Sequence, residues 1–452
     1  MAEKKKVGMV SLGCPKNLVD SEVMMGMLAR QGFEITNDSQ AADVLVVNTC
    51  GFIDSARQES VNTILEMAQL KQTGKLKRLI VAGCLVERFR EELQREIPEI
   101  DACIGVNELK EIESVAGPGG RRTLPVYSDG RAAPELYLYD ETTPRLRATA
   151  PYTSYVKIAE GCDHTCAFCI IPKLRGVFRS RSPESILREV EMLAAQGVKE
   201  FVLISQDTTT YGQDLGLTDG LARLVESIAG IEGVEWVRFL YCYPTAITNE
   251  LLRVMAARQN VCKYFDIPLQ HVSRRMLARM RRGGNRRSYE RLIERIREQV
   301  PGVAVRTTFI VGFPGEREED FEELLDFVRT VEFDRVGVFT YSDEENSAAF
   351  ELDEKVDQAV ARRRERRLMK EQARISRRKN RRLVGQRVKV LLEGRSKESD
   401  LLLEGRMGTQ APEIDGSILI NDLPEEMEVS PGDFVTVEIT EAHDYDLVGR
   451  VV

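Results

Sequence analysis

A chain of 452 residues, 42% of them hydrophobic, has room for about three domains and enough apolar surface to build their cores, which excludes wholesale disorder. Its formal charge of −8 argues against a general nucleic-acid binder, although the charge is unevenly spread. No apolar run approaches the roughly 20 residues of a membrane helix, and the opening MAEKKKVGMV lacks the apolar stretch and cleavage site of a signal peptide. A cytoplasmic protein without a membrane partner is expected. Its nine cysteines then stay reduced, which favours metal binding or chemistry over disulfides.

Residues 1–115 alternate apolar runs (KVGMVSLG, ADVLVVNT, RLIVAG) with helical stretches, the pattern of an open parallel-sheet α/β domain. Cys14, Cys50 and Cys84 each end one of those three strands. The C-terminal ends of parallel strands lie along one edge, where ligands bind, so three thiols distant in sequence converge. Three unrelated buried cysteines are the plainer reading. Placement at successive strand ends favours a cluster with one iron left open. Residues 116–148, rich in Gly, Pro and charge, read as a linker.

Residues 149–355 offer six further strands: SYVKIAEG, EFVLISQ, WVRFLYC, KYFDIPLQ, VAVRTTFIVGF and DRVGVFTYS. Six units fall short of the eight that close a barrel, so a partial (βα)6 TIM-like barrel is expected. Cys162, Cys166 and Cys169 follow its first strand directly, at the end where such barrels carry their active sites. Three thiolates on a four-iron cluster leave one iron free to bind a substrate or cofactor. The alternative is a zinc knot with His164 or a residue distant in sequence as fourth ligand. Gln206 ends the second strand and is expected at the cofactor site. Arg175, Arg179 and Arg181 can steady a carboxylate or phosphate. Cys103, Cys242 and Cys262 read as core packing, and His271 as a hydrogen-bonded structural histidine; His443, in an acidic loop, carries no reading.

Residues 356–382 form a basic connecting helix; from Ala361 to Arg382 twelve Lys/Arg meet two Asp/Glu, a net of +10. Residues 383–452 switch to short β-like runs separated by Gly, Pro and Asp, which suggests a small OB-like β-barrel. This tail holds six Lys/Arg against fifteen Asp/Glu, a net of −9.

The C-x3-C-x2-C spacing resembles the radical S-adenosylmethionine (SAM) superfamily. The whole chain, through SLGCPKN, NTCGF, AGCL, EGCDHTCAFCIIPKLRG, IVGFPGE and a TRAM-type terminal barrel, resembles its methylthiotransferases. The resemblance implies two [4Fe-4S] clusters and SAM as both radical source and methyl donor. Cys162, Cys166 and Cys169 would hold the radical-generating cluster, and Cys14, Cys50 and Cys84 an auxiliary cluster that carries the sulfur to be methylated. It also implies that Phe168 lies near the adenine and that Gly312 and Gly315 approach the cofactor. Two branches differ in substrate. One acts on an adenosine of transfer RNA; the other, RimO, acts on an aspartate of the twelfth protein of the small ribosomal subunit. SLGCPKNLVDSE and LQHVSRRMLARMRRGG look closest to RimO. Independently, an acidic barrel repels RNA and attracts a basic ribosomal protein. The basic helix can contact ribosomal RNA or simply lie solvated with one apolar stripe packed. A reading of another class is a metal-stabilised RNA-binding adaptor without catalysis. The residues name neither the reductant nor the sulfur donor.

Overall fold

The computed structural model describes residues 4–117, 136–397, 399–424 and 427–452. Five parallel strands form the first sheet: β1 (Lys6–Ser11), β2 (Glu34–Thr36), β3 (Val44–Thr49), β4 (Arg78–Gly83) and β5 (Ala102–Ile104), in the order β2-β1-β3-β4-β5. The three cysteine-bearing strands are the central ones. The edge strands β2 and β5 have three residues each, too few to print a period in the sequence. Successive residues point to opposite faces. Val44 and Val46 therefore pack with Val19, Val23 and Met24 of helix Pro15–Arg30, while Leu45 and Val47 pack with Ile64 and Ala68 of helix Asp54–Thr73. Both faces are covered, which is why β3 reads as an unbroken apolar run.

The second domain begins with β6 (Thr153–Lys157) and a short antiparallel pair, β7 (Ala159–Glu160) with β8 (Arg179–Ser180), that brackets the cysteine loop. Then come β9 (Glu200–Ile204), β10 (Trp236–Phe239), β11 (Tyr264–Asp266), β12 (Ala304–Val311) and β13 (Arg335–Thr340). β6, β9 and β10 form one parallel sheet; β11, β12 and β13 form another. A parallel bridge between Val237 and Val261 and the bond from Cys242 N to the Asp266 carbonyl (2.8 Å) join them into a six-stranded open barrel. Its outer face (Phe201, Leu203, Val237, Phe265, Val305) packs on helices. Its inner face, with Tyr155, Val202, Trp236 and Tyr264, shares one core with Val19 and Val23 of the first domain and with Leu391 and Ala411 of the last. An open barrel leaves its inner face to be covered, and both flanking domains cover it.

The terminal strands β14 (Arg387–Arg395), β15 (Leu403–Met407), β16 (Ile418–Asp422), β17 (Phe434–Ala442) and β18 (Leu447–Val451) close into a barrel ordered β14-β15-β16-β18-β17. Only β16 and β18 pair in parallel, as an OB-type Greek key requires. Before it runs helix Gln358–Arg381, which buries Ala361, Arg364, Leu368, Gln372 and Ile375 at three- and four-residue spacing. Of the segment read as a linker, residues 118–135 lie outside the described residues. In its remainder, Tyr139 is buried, and Arg145 pairs with Glu22 (2.6 Å) and Glu189 (2.7 Å).

Candidate active site

Cys14 precedes helix Pro15–Arg30, Cys50 follows β3, and Cys84 opens helix Cys84–Glu96 directly after β4. Because β1, β3 and β4 are neighbours, the three loops lie side by side and touch. A Cβ on Gly13 would stand 2.8 Å from Cys50 Cβ, and Gly13 has φ of 88°, so no side chain fits there by space or by conformation. Asn17 Nδ2 donates to the Leu12 carbonyl (3.1 Å) and the Thr49 carbonyl (2.9 Å), tying the first two loops together. Ser60 Oγ donates to the Cys50 carbonyl (2.9 Å). Replacing Gly13 by Ala is expected to cost about 1–3 kcal/mol, read as a lowered denaturant midpoint.

The second trio sits in the excursion between β7 and β8. Ala167 N bonds to the Met280 carbonyl (2.9 Å), and Ala349 N to the Ala167 carbonyl (2.7 Å), so loops of the same barrel rim hold it from both sides. Arg282 Nη1 approaches Cys166 Sγ (3.4 Å), and Ile171 N approaches Cys169 Sγ (3.5 Å).

All six cysteines line one cavity of about 460 Å³. Its first wall is fastened to the second by a buried ionic lattice. Arg175 pairs with Glu160 (2.9 Å) and Asp20 (3.2 Å) and lies 3.6 Å from Cys84 Sγ, while Lys157 bridges Glu160 (2.7 Å) and Asp20. Asp20 belongs to the first domain; the others belong to the barrel. Arg175, Arg179 and Arg181 are thus consumed by internal partners: Arg179 bonds to the Arg175 and Tyr137 carbonyls and to Asn107, and Arg181 to Glu189. None of the three is free to hold a substrate anion, because each was needed to satisfy buried acceptors.

Three family descriptions match the chain: "Uncharacterized protein family UPF0004" over residues 6–105, "Radical SAM superfamily" over 156–328, and "TRAM domain" over 384–452. Three relatives bear the name ribosomal protein uS12 methylthiotransferase RimO. That of Solibacter usitatus (strain Ellin6076) is 55% identical across 99% of this chain and 95% of the relative. That of Koribacter versatilis (strain Ellin345) is 52% identical across 99% and 96%, and that of Geobacter sulfurreducens 46% across 99% of each. The chain belongs to the RimO family. The fold is shared more widely: the radical SAM methyltransferase TsrM of Kitasatospora setae, with cobalamin and a [4Fe-4S] cluster bound, superposes with a TM-score of 0.53 at 15% identity, over 75% of this chain and 72% of TsrM.

Membership of the radical SAM superfamily brings SAM and one [4Fe-4S] cluster as the cofactor class. The donors of this RimO-family chain fit such groups. Each trio is three thiols, and no set of three His, Cys, Asp or Glu among the described residues converges tightly enough for a single metal ion. A four-iron cluster binds each thiolate to a different iron, and three thiolates leave one iron open. His164 is not a fourth ligand; its Nε2 meets Asp207 Oδ2 (2.6 Å), and its ring stacks on Tyr243 at 3.8 Å. Burial pushes the thiols of Cys84 and Cys169 up to about 12. Burial opposes ionisation of Cys14 too, but Lys16 and Arg175 outweigh it and hold that thiol below its ordinary value. An iron cation would overcome the burial cost and bind the thiolates.

Phe168 and Gln206 line the cavity. Gln206 Nε2 donates to Glu160, and its Oε1 is buried without a hydrogen-bond partner among the described residues. Gly312 and Gly315 do not line it. Both have positive φ, and a Cβ there would strike Ala361 and Arg279 respectively, so tight packing against the basic helix and the Arg279 side chain accounts for them. Cys103 and Cys262 are core residues as read, whereas Cys242, though buried, reaches the cavity wall. His271 is fully buried; its Nδ1 accepts from Val272 N (2.9 Å) and Ser273 N (3.0 Å), leaving Nε2 to donate to Glu316 (3.2 Å). Sequence reasoning missed Lys16, Tyr241 and Gln270. The last two line the cavity with φ of 65° and 71°, a backbone cost that residue type does not announce.

Proposed function

We propose that this chain is a radical SAM methylthiotransferase that replaces a C–H bond at the β-carbon of an aspartate in ribosomal protein uS12 with C–SCH3. The observation that carries the reading is two cysteine trios, brought by two different domains, facing one cavity. In this reading Cys162, Cys166 and Cys169 hold the radical-generating cluster, Cys14, Cys50 and Cys84 hold an auxiliary [4Fe-4S] cluster, and Phe168 and Gln206 border SAM. When bound, these groups supply hydrogen abstraction and the methylated sulfur that takes the hydrogen's place. The chain's own residues do the rest. The Arg175–Glu160–Lys157–Asp20 lattice fixes the two walls in register, and the apolar rings of Phe52, Phe168 and Phe339 line the chamber. Mass spectrometry of uS12 and of transfer RNA from cells lacking the enzyme tests the substrate: uS12 is expected to lose its methylthio increment while transfer RNA keeps its own.

The acidic barrel suits a basic protein partner. It contributes Leu391 and Ala411 to the shared core, so its binding is to be measured in the full chain. A second contact, with ribosomal RNA, is supported by the helix before it. Arg363, Arg366, Lys370 and Arg381 are exposed, follow one another at helical-face spacing, and have no ion-pair partner among the described residues. At 1.5 Å per residue they span about 27 Å. Neutralising Arg366 and Lys370 to Gln is expected to lower affinity for the small ribosomal subunit and its salt slope by about two, with affinity for free uS12 unchanged.

A further inference from the structure

Lys16 is the cavity's unusual cation. It is 8% exposed and lines the chamber. Its ammonium sits 3.2 Å from the centroid of the Tyr241 ring, and no carboxylate pairs with it among the described residues. The nearby carboxylates are already engaged. Glu160 is held by Lys157 and Arg175, and Asp266 by Arg306 (2.8 Å) and Tyr241 N (3.1 Å). The other cations of the wall contrast with it: Lys157 and Arg175 carry two carboxylates each, and Arg282 reaches Cys166 Sγ and the Pro268 carbonyl. Beside the Tyr241 face, Lys16 acts on Cys14, whose thiol it helps to hold below its ordinary value, but a buried ammonium without a carboxylate partner is costly unless a further anion joins it. It is not needed as a tie between the loops, since its neighbour Asn17 already joins them.

We infer that Lys16 binds the side-chain carboxylate of the substrate aspartate, deepening the function proposed above and resting on it. The chemistry of that substrate matches the position. The carboxylate is one bond from the β-carbon whose hydrogen is replaced, so anchoring it confines the reacting carbon to a small arc inside the cavity. The charge persists through the reaction, so the contact contributes to substrate affinity and orientation alike. An adenine base brings no such anion. The lysine therefore selects between the two substrates that methylthiotransferase chemistry offers.

The test uses the full chain, loaded anaerobically with iron and sulfide, and a fluorescent uS12 peptide spanning the modified aspartate, beside the same peptide with Asn. The wild type is expected to bind the Asp peptide about 10- to 100-fold more tightly, the range of a charge-assisted hydrogen bond. Lys16→Met is expected to bind both peptides alike at the weaker level, with iron content unchanged, and Lys16→Arg to keep part of the preference. Equal binding of the two peptides by the wild type overturns the inference. So does a preference that survives in Lys16→Met, the result expected if the lysine serves a sulfide anion. Where Lys16→Met loads iron poorly, Lys16→Gln replaces it, and the wild-type comparison decides independently. Failure of the proposed function looks different: the loaded enzyme, wild type included, adds no methylthio group to uS12 whatever occupies position 16.

Discussion

Alanine at Cys166 and alanine at Cys50 are expected to produce two different dead enzymes. Anaerobically prepared wild type should be brown and carry about eight irons per chain, four for each cluster. Each replacement removes one ligand from one trio and should leave about four irons. Without Cys166, SAM cleavage and methylthio transfer both fall to background. Without Cys50, SAM is still cleaved to deoxyadenosine while no sulfur reaches uS12. Iron analysis, the yield of deoxyadenosine and the mass of uS12 check each outcome. Colourless wild-type protein containing zinc would instead restore the non-catalytic adaptor. Walls from separate domains make the separation possible: Cys50 and Cys166 share the cavity but no hydrogen bond.

The second large effect concerns stability. Glu200 is fully buried where the C-terminal barrel meets the open one, between Arg406 (2.8 Å) and Arg238 (3.3 Å), with Thr153 Oγ1 at 3.1 Å. Burial alone would raise its carboxyl; Arg406 and then Arg238 outweigh that and hold it below its ordinary value. The contribution is therefore present above the unfolded carboxylate value of about 4.3 and is lost as pH falls through the lower folded value. Replacing Glu200 by Leu leaves two buried guanidinium groups facing each other, with Arg238 Nη1 and Nη2 already lacking hydrogen-bond partners among the described residues. A loss of about 3–5 kcal/mol is expected, with much of it recovered when Arg406→Met is added. Denaturant unfolding of the loaded protein measures both. A single variant within about 1 kcal/mol of wild type would falsify the view that this triad locks the barrel in place.

The sequence disclosed most where one residue type repeats at one structural position. A cysteine after each central strand, and three within a single loop, announced a pair of trios because strand ends of a parallel sheet converge by topology alone. The six strands of the open barrel and the five of the terminal one were legible from length and turn residues. Features that depend on a partner distant in the chain were not legible. Lys16 stood in SLGCPKN in plain view, but its lack of a carboxylate partner among the described residues is decided by what Lys157, Arg175 and Arg306 do to Glu160 and Asp266. The glycines of IVGFPGE looked like a cofactor approach, yet Ala361 and Arg279, 49 and 36 residues away from Gly312 and Gly315, set their need for small size. PKLRG promised a free arginine; Asp20, from another domain, occupies it.

The inner face of the open barrel has a consequence for biogenesis. Glu200 and Arg406 are 206 residues apart, so their contact waits until almost the whole polypeptide has left the ribosome. Until then Trp236, Tyr264 and the guanidinium of Arg238 stand uncovered in a half-built vessel, a sticky intermediate of the kind chaperones recognise. Every cavity-lining cysteine is synthesised before that lid exists. A truncation that removes only the last strands should therefore yield aggregates in place of a trimmed enzyme.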